Sequence, residues 1–183
     1  KVEGCALRMD VSKNMTLASL KNFCRLGMIK LKRESEIANE FVRNLSIRTP
    51  SIQTLVEYLS GGNQQKVIIA KSLCCKSNIF LFDEPTQGID VGAKVEIYNL
   101  LSELVKQGAS IVIASSEMAE LTGMCDRIIT MYRGMIVGEF CRDHFDQEII
   151  LRYIFGKERE PCFERMAFEE ESENGKEASA RFD

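Results

Sequence analysis

Apolar residues recur along the chain in two patterns, which predict regions of different secondary structure. Up to about residue 58, apolar positions repeat every three or four residues, a spacing typical of amphipathic helices. The two stripes consist of Met15, Leu17, Leu20 and Phe23, and of Ile37, Phe41, Val42 and Leu45. Pro50 disfavours helical backbone at Thr49. We therefore expect a break at residues 48–51.

Between residues 59 and 141, short unbroken apolar runs alternate with helical patterns. The runs at 79–82 (Ile-Phe-Leu-Phe) and 110–114 (Ser-Ile-Val-Ile-Ala) predict strands buried on both faces, as in a parallel sheet. Further predicted elements are helices at 63–73, 93–107 and 118–122, with Gly108 ending the second, and strands at 127–132 and 135–140 joined by a turn at Arg133-Gly134. This alternation favours an α/β fold with a parallel sheet.

The C-terminal residues form two further predicted segments. Residues 145–155 fit a short amphipathic helix. From residue 157 the chain has five basic and nine acidic residues, which predicts a disordered acidic tail. The predicted organisation is therefore a helical subdomain at 1–58, an α/β core at 59–156 and a tail at 157–183.

Composition narrows the class of protein. The chain is 45% hydrophobic and 28% charged, with a net charge of −3, and it has neither a membrane-spanning apolar run nor a basic stripe for nucleic acid. Its seven cysteines form no C-x-x-C pair, so we expect reduced, buried or half-buried thiols in the cytosol. His144, the single histidine, is expected at the surface. The sequence begins without Met or a signal pattern, so we expect a fragment of a longer protein.

Two carboxylates follow the first apolar run. Asp83 and Glu84 come directly after the strand predicted at 79–82. In parallel α/β sheets, ligands bind at the carboxyl ends of strands. Asp83 suits Mg²⁺, usually through water, because a hard cation prefers oxygen ligands. Glu84 can polarise an attacking water. On this motif alone, the alternative in which Asp83 only caps the next turn stays open.

A Ser-Gly-Gly element precedes the helix predicted at 63–73. Backbone N–H groups at a helix start are unpaired and favour an anion. Gly61 and Gly62 lack a Cβ, so the backbone can approach a phosphate. The alternative is an ordinary N-cap at Ser60 followed by a flexible turn. Asp83 follows Ser60 by 23 positions (83 − 60), with one helix and one strand between them.

Together these motifs resemble those of ATP-binding cassette (ABC) ATPases. Residues 59–62 (Leu-Ser-Gly-Gly) resemble the ABC signature, 79–84 the Walker B strand with its Asp and Glu, and 85–90 (Pro-Thr-Gln-Gly-Ile-Asp) the D-loop segment. Longer stretches are similar to the second nucleotide-binding domain of ribose-, galactose- and xylose-type importers, which carry two such domains in one polypeptide. These stretches are 11–21, 59–67, 88–94 and 115–117.

This resemblance implies a partial P-loop NTPase (ABC ATPase) core with a parallel sheet plus an α-helical subdomain. It also implies roles for individual residues toward ATP and Mg²⁺. The implied contacts to ATP are Ser60, Gly61, Gly62, Gln64 and Asp90; the implied metal residue is Asp83; the implied catalytic residues are Glu84 and Ser116. In this family the signature closes over ATP that the partner domain holds.

Two departures from the family pattern bear on activity. A Walker A loop, G-x-x-x-x-G-K-[ST], is absent, and Gly156-Lys157 does not supply one because Glu158 follows. We expect that loop upstream of Lys1. Ser116 stands where many ABC domains have a His, and a hydroxyl cannot carry the imidazolium charge. Fast hydrolysis at Asp83 and Glu84 is therefore in doubt.

The resemblance further implies partners and a location. The partners are the N-terminal nucleotide-binding domain of the same polypeptide, transmembrane permease subunits and, indirectly, a substrate-binding protein, at the cytoplasmic face of the bacterial plasma membrane. Nucleic acid is not an expected partner. Three alternatives stay open: a nucleoside or related cargo, a catalytically degenerate interaction domain, and an ABC-type ATPase acting on DNA, which the lack of long coiled coils disfavours.

Overall fold

The computed structural model describes residues 4–25 and 28–157. The tail predicted beyond Lys157 lies outside the described residues, as does Cys162. The chain forms two compact units, Lys1–Ser116 and Glu117–Asp183, and each is described by itself below. The three-part division expected from the sequence stays a prediction.

The first unit begins with a helical layer. Helix α1 (Val11–Thr16) continues as a 3₁₀ helix (Leu17–Asn22), two short antiparallel strands follow (β1, Cys24–Arg25, and β2, Met28–Ile29), and helix α2 spans Leu31–Asn44. Residues 48–51 are not helical, which confirms the predicted break. The first predicted stripe is only partly buried, because the backbone kinks at Ser19 and leaves Leu17 exposed. The small sheet was not predicted.

The second half of this unit has the predicted α/β order. Helix α3 spans Gly61–Leu73, strand β3 Ile79–Asp83, helix α4 Val91–Lys106 and strand β4 Ser110–Ala114. Strands β3 and β4 are parallel, with Ile79 opposite Ser110 and Asp83 opposite Ala114. The parallel α/β prediction is therefore confirmed, although α3 and α4 each begin two residues earlier than expected.

The prediction that these strands are buried on both faces is wrong. Phe80 and Phe82 are buried, whereas Leu81 is 77% exposed. Val112, opposite Leu81, is 57% exposed. Successive side chains of a strand point to opposite faces, so one face of the β3–β4 pair packs on the unit and the other is open in this chain.

The core of the first unit joins α1, α2 and α3. Its fully buried apolar members are Val11, Met15, Ala38, Val56, Val67 and Ala70. Two buried polar groups are satisfied within it. The Asn14 amide donates to the carbonyls of Ala6, Met9 and Asp10. Glu34 Oε1 accepts a 2.6 Å hydrogen bond from Thr16 Oγ1. The core thus braces the segment that leads into α3.

The second unit is a hairpin packed on one helix. After α5 (Met118–Met124), strands β5 (Arg127–Tyr132) and β6 (Met135–Cys141) pair in antiparallel fashion, as predicted, through the Arg133-Gly134 turn. Helix α6 (Gln147–Ile154) packs on this hairpin, with the Phe140 and Tyr153 rings edge to face at 5.2 Å. His144 is exposed in a 3₁₀ turn before α6, which confirms its surface position.

The six described cysteines are free thiols. Cys5 and Cys74 are buried and Cys125 is half-buried, as expected, but Cys24, Cys75 and Cys141 are exposed. The prediction of burial is therefore wrong for these three. Burial, reinforced by the neighbouring thiol of Cys75, raises the pKa of Cys74 to about 11.

Candidate nucleotide site

The predicted Walker B carboxylates lie at the carboxyl end of the parallel strand pair. Asp83 is the last residue of β3, and it is exposed. Glu84 follows with φ of +46°, and its N–H donates to Ala114 O at 2.8 Å. A positive φ is uncommon for a residue other than glycine. This turn takes Glu84 out of the strand while its backbone stays tied to the end of β4.

The side chain of Glu84 is held by the residue at the switch position. Glu84 Oε1 accepts a 2.8 Å hydrogen bond from the backbone N–H of Ser116. The structure thus brings together Glu84 and Ser116, the two residues predicted to be catalytic, through the main chain of Ser116. Its exposed hydroxyl makes no part of this contact.

The Ser-Gly-Gly element begins α3, and its serine does not behave as an ordinary cap. Ser60 is the N-cap residue, yet its side chain caps no backbone N–H of the helix. Its Oγ accepts a 2.8 Å hydrogen bond from Asn63 Nδ2. The alternative of a simple Ser N-cap is therefore not what the structure shows, and the N–H groups of the first turn stay available to an anion.

Gln64 turns toward the chain that precedes the helix. Its Nε2 donates to Val56 O and to Leu59 O, each at 3.1 Å. These bonds fix the entry of the chain into α3. A direct contact from Gln64 to a nucleotide stays a prediction.

The N-termini of α3 and α4 meet at one cavity of about 240 Å³. Its lining residues are Arg48, Ser60, Gly62, Asn63, Asp90, Gly92, Ala93 and Glu96. Asp90 is the N-cap of α4, and its Oδ1 accepts from Ala93 N at 2.9 Å. Because each helix start carries a partial positive charge, two such charges face the same space, and Asp90 offsets part of one.

Gly62 is required where the two helices touch. A Cβ built on Gly62 would lie 2.6 Å from Ala93 Cβ, which is closer than two carbon atoms can approach. From the sequence, this glycine is expected to let the backbone approach a phosphate. The structure adds a second reason, which is the close packing of α3 on α4.

An ion-pair cluster supports the cavity from one side. Lys66 Nζ lies 2.8 Å from Glu96 Oε2 and donates to Ser46 O at 3.1 Å, and its side chain is only 5% exposed. Arg48 lies 3.7 Å from the same carboxylate. The hydrogen bond from Lys66 lowers the pKa of Glu96. The cluster ties α4 to α3 and to the loop before the signature.

The predicted site residues other than Gln64 therefore form two groups. Ser60, Gly62 and Asp90 line one cavity, with Gly61 between the first two in sequence. Asp83, Glu84 and Ser116 lie at the ends of β3 and β4. The site residues predicted from the sequence do not include Asn63, Ala93 or Lys66. The signal for Asn63 was its place three residues after an N-cap serine, within reach of that side chain.

The chain fits a magnesium nucleotide only in part. Among the described residues, no group of three or more His, Cys, Asp or Glu side chains could hold a metal ion. Mg²⁺ usually keeps waters and takes one or two carboxylates plus phosphate oxygens. Asp83 can supply one such carboxylate. The remaining ligands would come from the nucleotide and water.

Known ABC transporter proteins resemble this chain in sequence. The family model described as "ABC transporter" matches residues 5–87. The ribose import ATP-binding protein RbsA of Cereibacter sphaeroides is 46% identical over 82% of this chain and 30% of its own length. The xylose import ATP-binding protein XylG of Moorella thermoacetica is 50% identical over 81% of this chain and 29% of its own length.

Solved structures show the same fold. A putative metal-chelate-type ABC transporter in an inward-facing conformation matches with a TM-score of 0.71 at 16% identity, over 82% of this chain and 60% of that one. A dimeric ATP-binding cassette in a post-hydrolysis state, bound to ADP and Pi, matches with a TM-score of 0.64 at 25% identity, over 77% of this chain and 60% of that one.

The fold is that of an ATP-binding cassette of the α/β class. Residues 5–87 belong to the ABC transporter family, whose model they match. It spans about 30% of the length of the curated relatives that it matches. In the part of the chain that the structure describes, no helix is long and apolar enough to cross a membrane.

Proposed function

We propose that this chain is the C-terminal part of the ATP-binding subunit of an ABC importer for a simple sugar. Its signature, Ser60 to Gly62, closes over ATP held by the N-terminal nucleotide-binding domain of the same polypeptide. The names of three relatives support the cargo class. One is named for import of ribose, one for import of ribose, galactose or methyl galactoside, and one for import of xylose.

One observation carries the mechanistic part of this proposal. The cavity at the starts of α3 and α4 presents the Ser60 hydroxyl and uncapped N–H groups of α3, a combination that suits a phosphate. In the family that these motifs resemble, the signature closes over ATP that another domain binds, and we assign Ser60 to Gly62 that role.

The second group of residues makes a smaller contribution. Asp83 would hold Mg²⁺ through water, and Glu84 would orient a water if this half hydrolyses ATP. When bound between the two domains, ATP supplies the free energy that closes the pair. Ser116 N–H fixes the Glu84 carboxylate, but the hydroxyl at position 116 lacks the charge of an imidazolium. Glu84 is thus held in place by the Ser116 N–H, but no positive charge at position 116 assists it in catalysis.

The proposed partners follow from this role. Closure of the domain pair is transmitted to transmembrane permease subunits, and a substrate-binding protein delivers the sugar to them. The subunit attaches peripherally at the cytoplasmic face of the bacterial plasma membrane. Cargo is selected elsewhere, so a nucleoside is the alternative cargo. A degenerate interaction domain is a second candidate function, favoured by Ser116 in place of a His.

The test is ATP turnover by the complete polypeptide that carries this chain. Ser60→Arg fills the cavity with a long side chain and should abolish turnover. Ser102→Arg, at an exposed position of α4, is the matched control and should leave turnover unchanged. Full turnover in Ser60→Arg would overturn the assignment of the signature. A wild-type polypeptide without any turnover would favour the degenerate interaction domain.

A further inference from the structure

The hydrogen bonds around Asn63 join the signature serine to the loop before it. Asn63 Oδ1 accepts from the backbone N–H of Arg48 at 2.8 Å. Asn63 Nδ2 donates to Ser60 Oγ at 2.8 Å. One side chain on the first turn of α3 therefore contacts both walls of the cavity that Ser60 and Arg48 line.

The orientation of the Asn63 amide is fixed by chemistry. A backbone N–H can only donate a hydrogen bond, so the amide oxygen of Asn63 must face Arg48. The NH₂ group must then face Ser60 and donate to it. In consequence Ser60 Oγ acts as an acceptor toward Asn63, and its own proton is directed elsewhere.

That proton has no acceptor among the residues that the structure describes. The side chain of Ser60 caps no helix N–H, and its hydrogen-bond partner among the described residues is the Asn63 donor. A hydroxyl whose lone pair is already engaged donates its proton to the next available acceptor. Because Ser60 is exposed, that acceptor is water until an anionic oxygen enters the cavity beside the two helix starts.

We propose that Asn63 is a positioning residue, which orients the Ser60 hydroxyl so that its proton points at a phosphate oxygen of the ATP bound by the partner domain. This inference rests on the proposed function of the signature. It adds the residue that sets the donor direction of Ser60, and it explains why Ser60 does not form the ordinary N-cap bond.

Asn63→Asp separates positioning from a merely structural role. A carboxylate still accepts from the Arg48 N–H, so the loop contact is kept. A carboxylate cannot donate, so the Ser60 hydroxyl must turn and donate to it, away from the nucleotide. Asn63→Ala removes both bonds and serves as the comparison variant.

The experiment measures kcat and KM for ATP in the complete polypeptide, with hydrogen exchange of α3 as the check on structure. Loss of the hydrogen bond that orients the Ser60 hydroxyl should lower turnover about three- to tenfold in Asn63→Ala. The loss should be at least as large in Asn63→Asp, with the protection of α3 unchanged. In a Ser60→Ala background, Asn63→Asp should cause little further loss of turnover, because the hydroxyl that Asn63 orients is absent.

The outcomes are distinguishable. Wild-type turnover in Asn63→Asp, or losses that simply multiply in the double variant, would overturn the positioning role while leaving the signature assignment intact. Wild-type turnover in both Ser60→Ala and Ser60→Arg would instead overturn the proposed function on which the inference rests.

Discussion

Replacing Gly62 with alanine tests the packing that brings the starts of α3 and α4 to one cavity. The new Cβ would lie 2.6 Å from Ala93 Cβ, whereas ordinary contact begins at 3.4 Å. The helices must therefore separate by at least 0.8 Å (3.4 − 2.6). Neither atom belongs to a flexible side chain, so the backbone has to move.

The size of the effect follows from two opposing contributions. Inserting a methyl group into a packed contact costs about 1–3 kcal/mol. Replacing a helical glycine with alanine returns about 0.5–1 kcal/mol. The net destabilisation of the contact between α3 and α4 in Gly62→Ala therefore lies between about 0 (1 − 1) and about 2.5 kcal/mol (3 − 0.5), and we expect it near the middle of that range.

Hydrogen exchange measured by mass spectrometry on peptides from α3 and α4 is the assay, because it reports local opening. Gly92→Ala is the matched control. It too is the second residue of its helix and lines the cavity, but its new Cβ meets only Asp90 Oδ1 at 3.3 Å. We expect protection to fall in Gly62→Ala and to change little in Gly92→Ala.

A compensating change sharpens this prediction. In Ala93→Gly the obstructing methyl is absent, and the next atom near the Gly62 Cβ position is Ala93 Cα at 3.9 Å. The double variant Gly62→Ala with Ala93→Gly should therefore recover most of the lost protection. Unchanged protection in Gly62→Ala alone, or no recovery in the double variant, would refute the reasoning.

Two further predictions concern the thiols and nucleotide binding. Iodoacetamide at pH 8 should alkylate the exposed thiol of Cys75 well before that of Cys74, because the thiolate is the reactive form and burial raises the pKa of Cys74 to about 11. Equal labelling of the two thiols, measured by peptide mass spectrometry, would contradict the burial of Cys74. Isothermal titration of this chain with Mg·ATP should show no tight binding, because the chain has no Walker A loop; a low-micromolar affinity would contradict the account.

The sequence predicted the elements of the α/β half well because their apolar patterns are local. The runs at Ile79 and Ser110 lie on neighbouring parallel strands, and Gly108 ends α4. The open face at Leu81 was not predictable, because an unbroken apolar run does not say whether the packing partner of each face is present in the same chain. The period of a strand predicts only that successive side chains point to opposite faces of the sheet.

For the site, residue types could be assigned but their hydrogen bonds could not. The spacing of Ser60 and Asp83 pointed to the two groups that the structure shows. The bond from Ser116 N–H to Glu84 and the bridge through Asn63 depend on backbone geometry that no side-chain pattern encodes. Gly62 was predicted as a site residue, but its close packing against Ala93 could not be predicted, because the two residues lie on different helices and 31 positions apart in sequence (93 − 62).

The central claim is that this domain acts mainly as the lid on ATP held by its partner domain. The most direct measurement is the rate of ATP hydrolysis by the complete polypeptide, compared between Ser60→Arg and Glu84→Gln. The account predicts that Ser60→Arg abolishes turnover while Glu84→Gln leaves most of it. If Glu84→Gln is as damaging as Ser60→Arg, this half is a full catalytic site, and the interpretation of Ser116 as a mark of weakened catalysis is wrong.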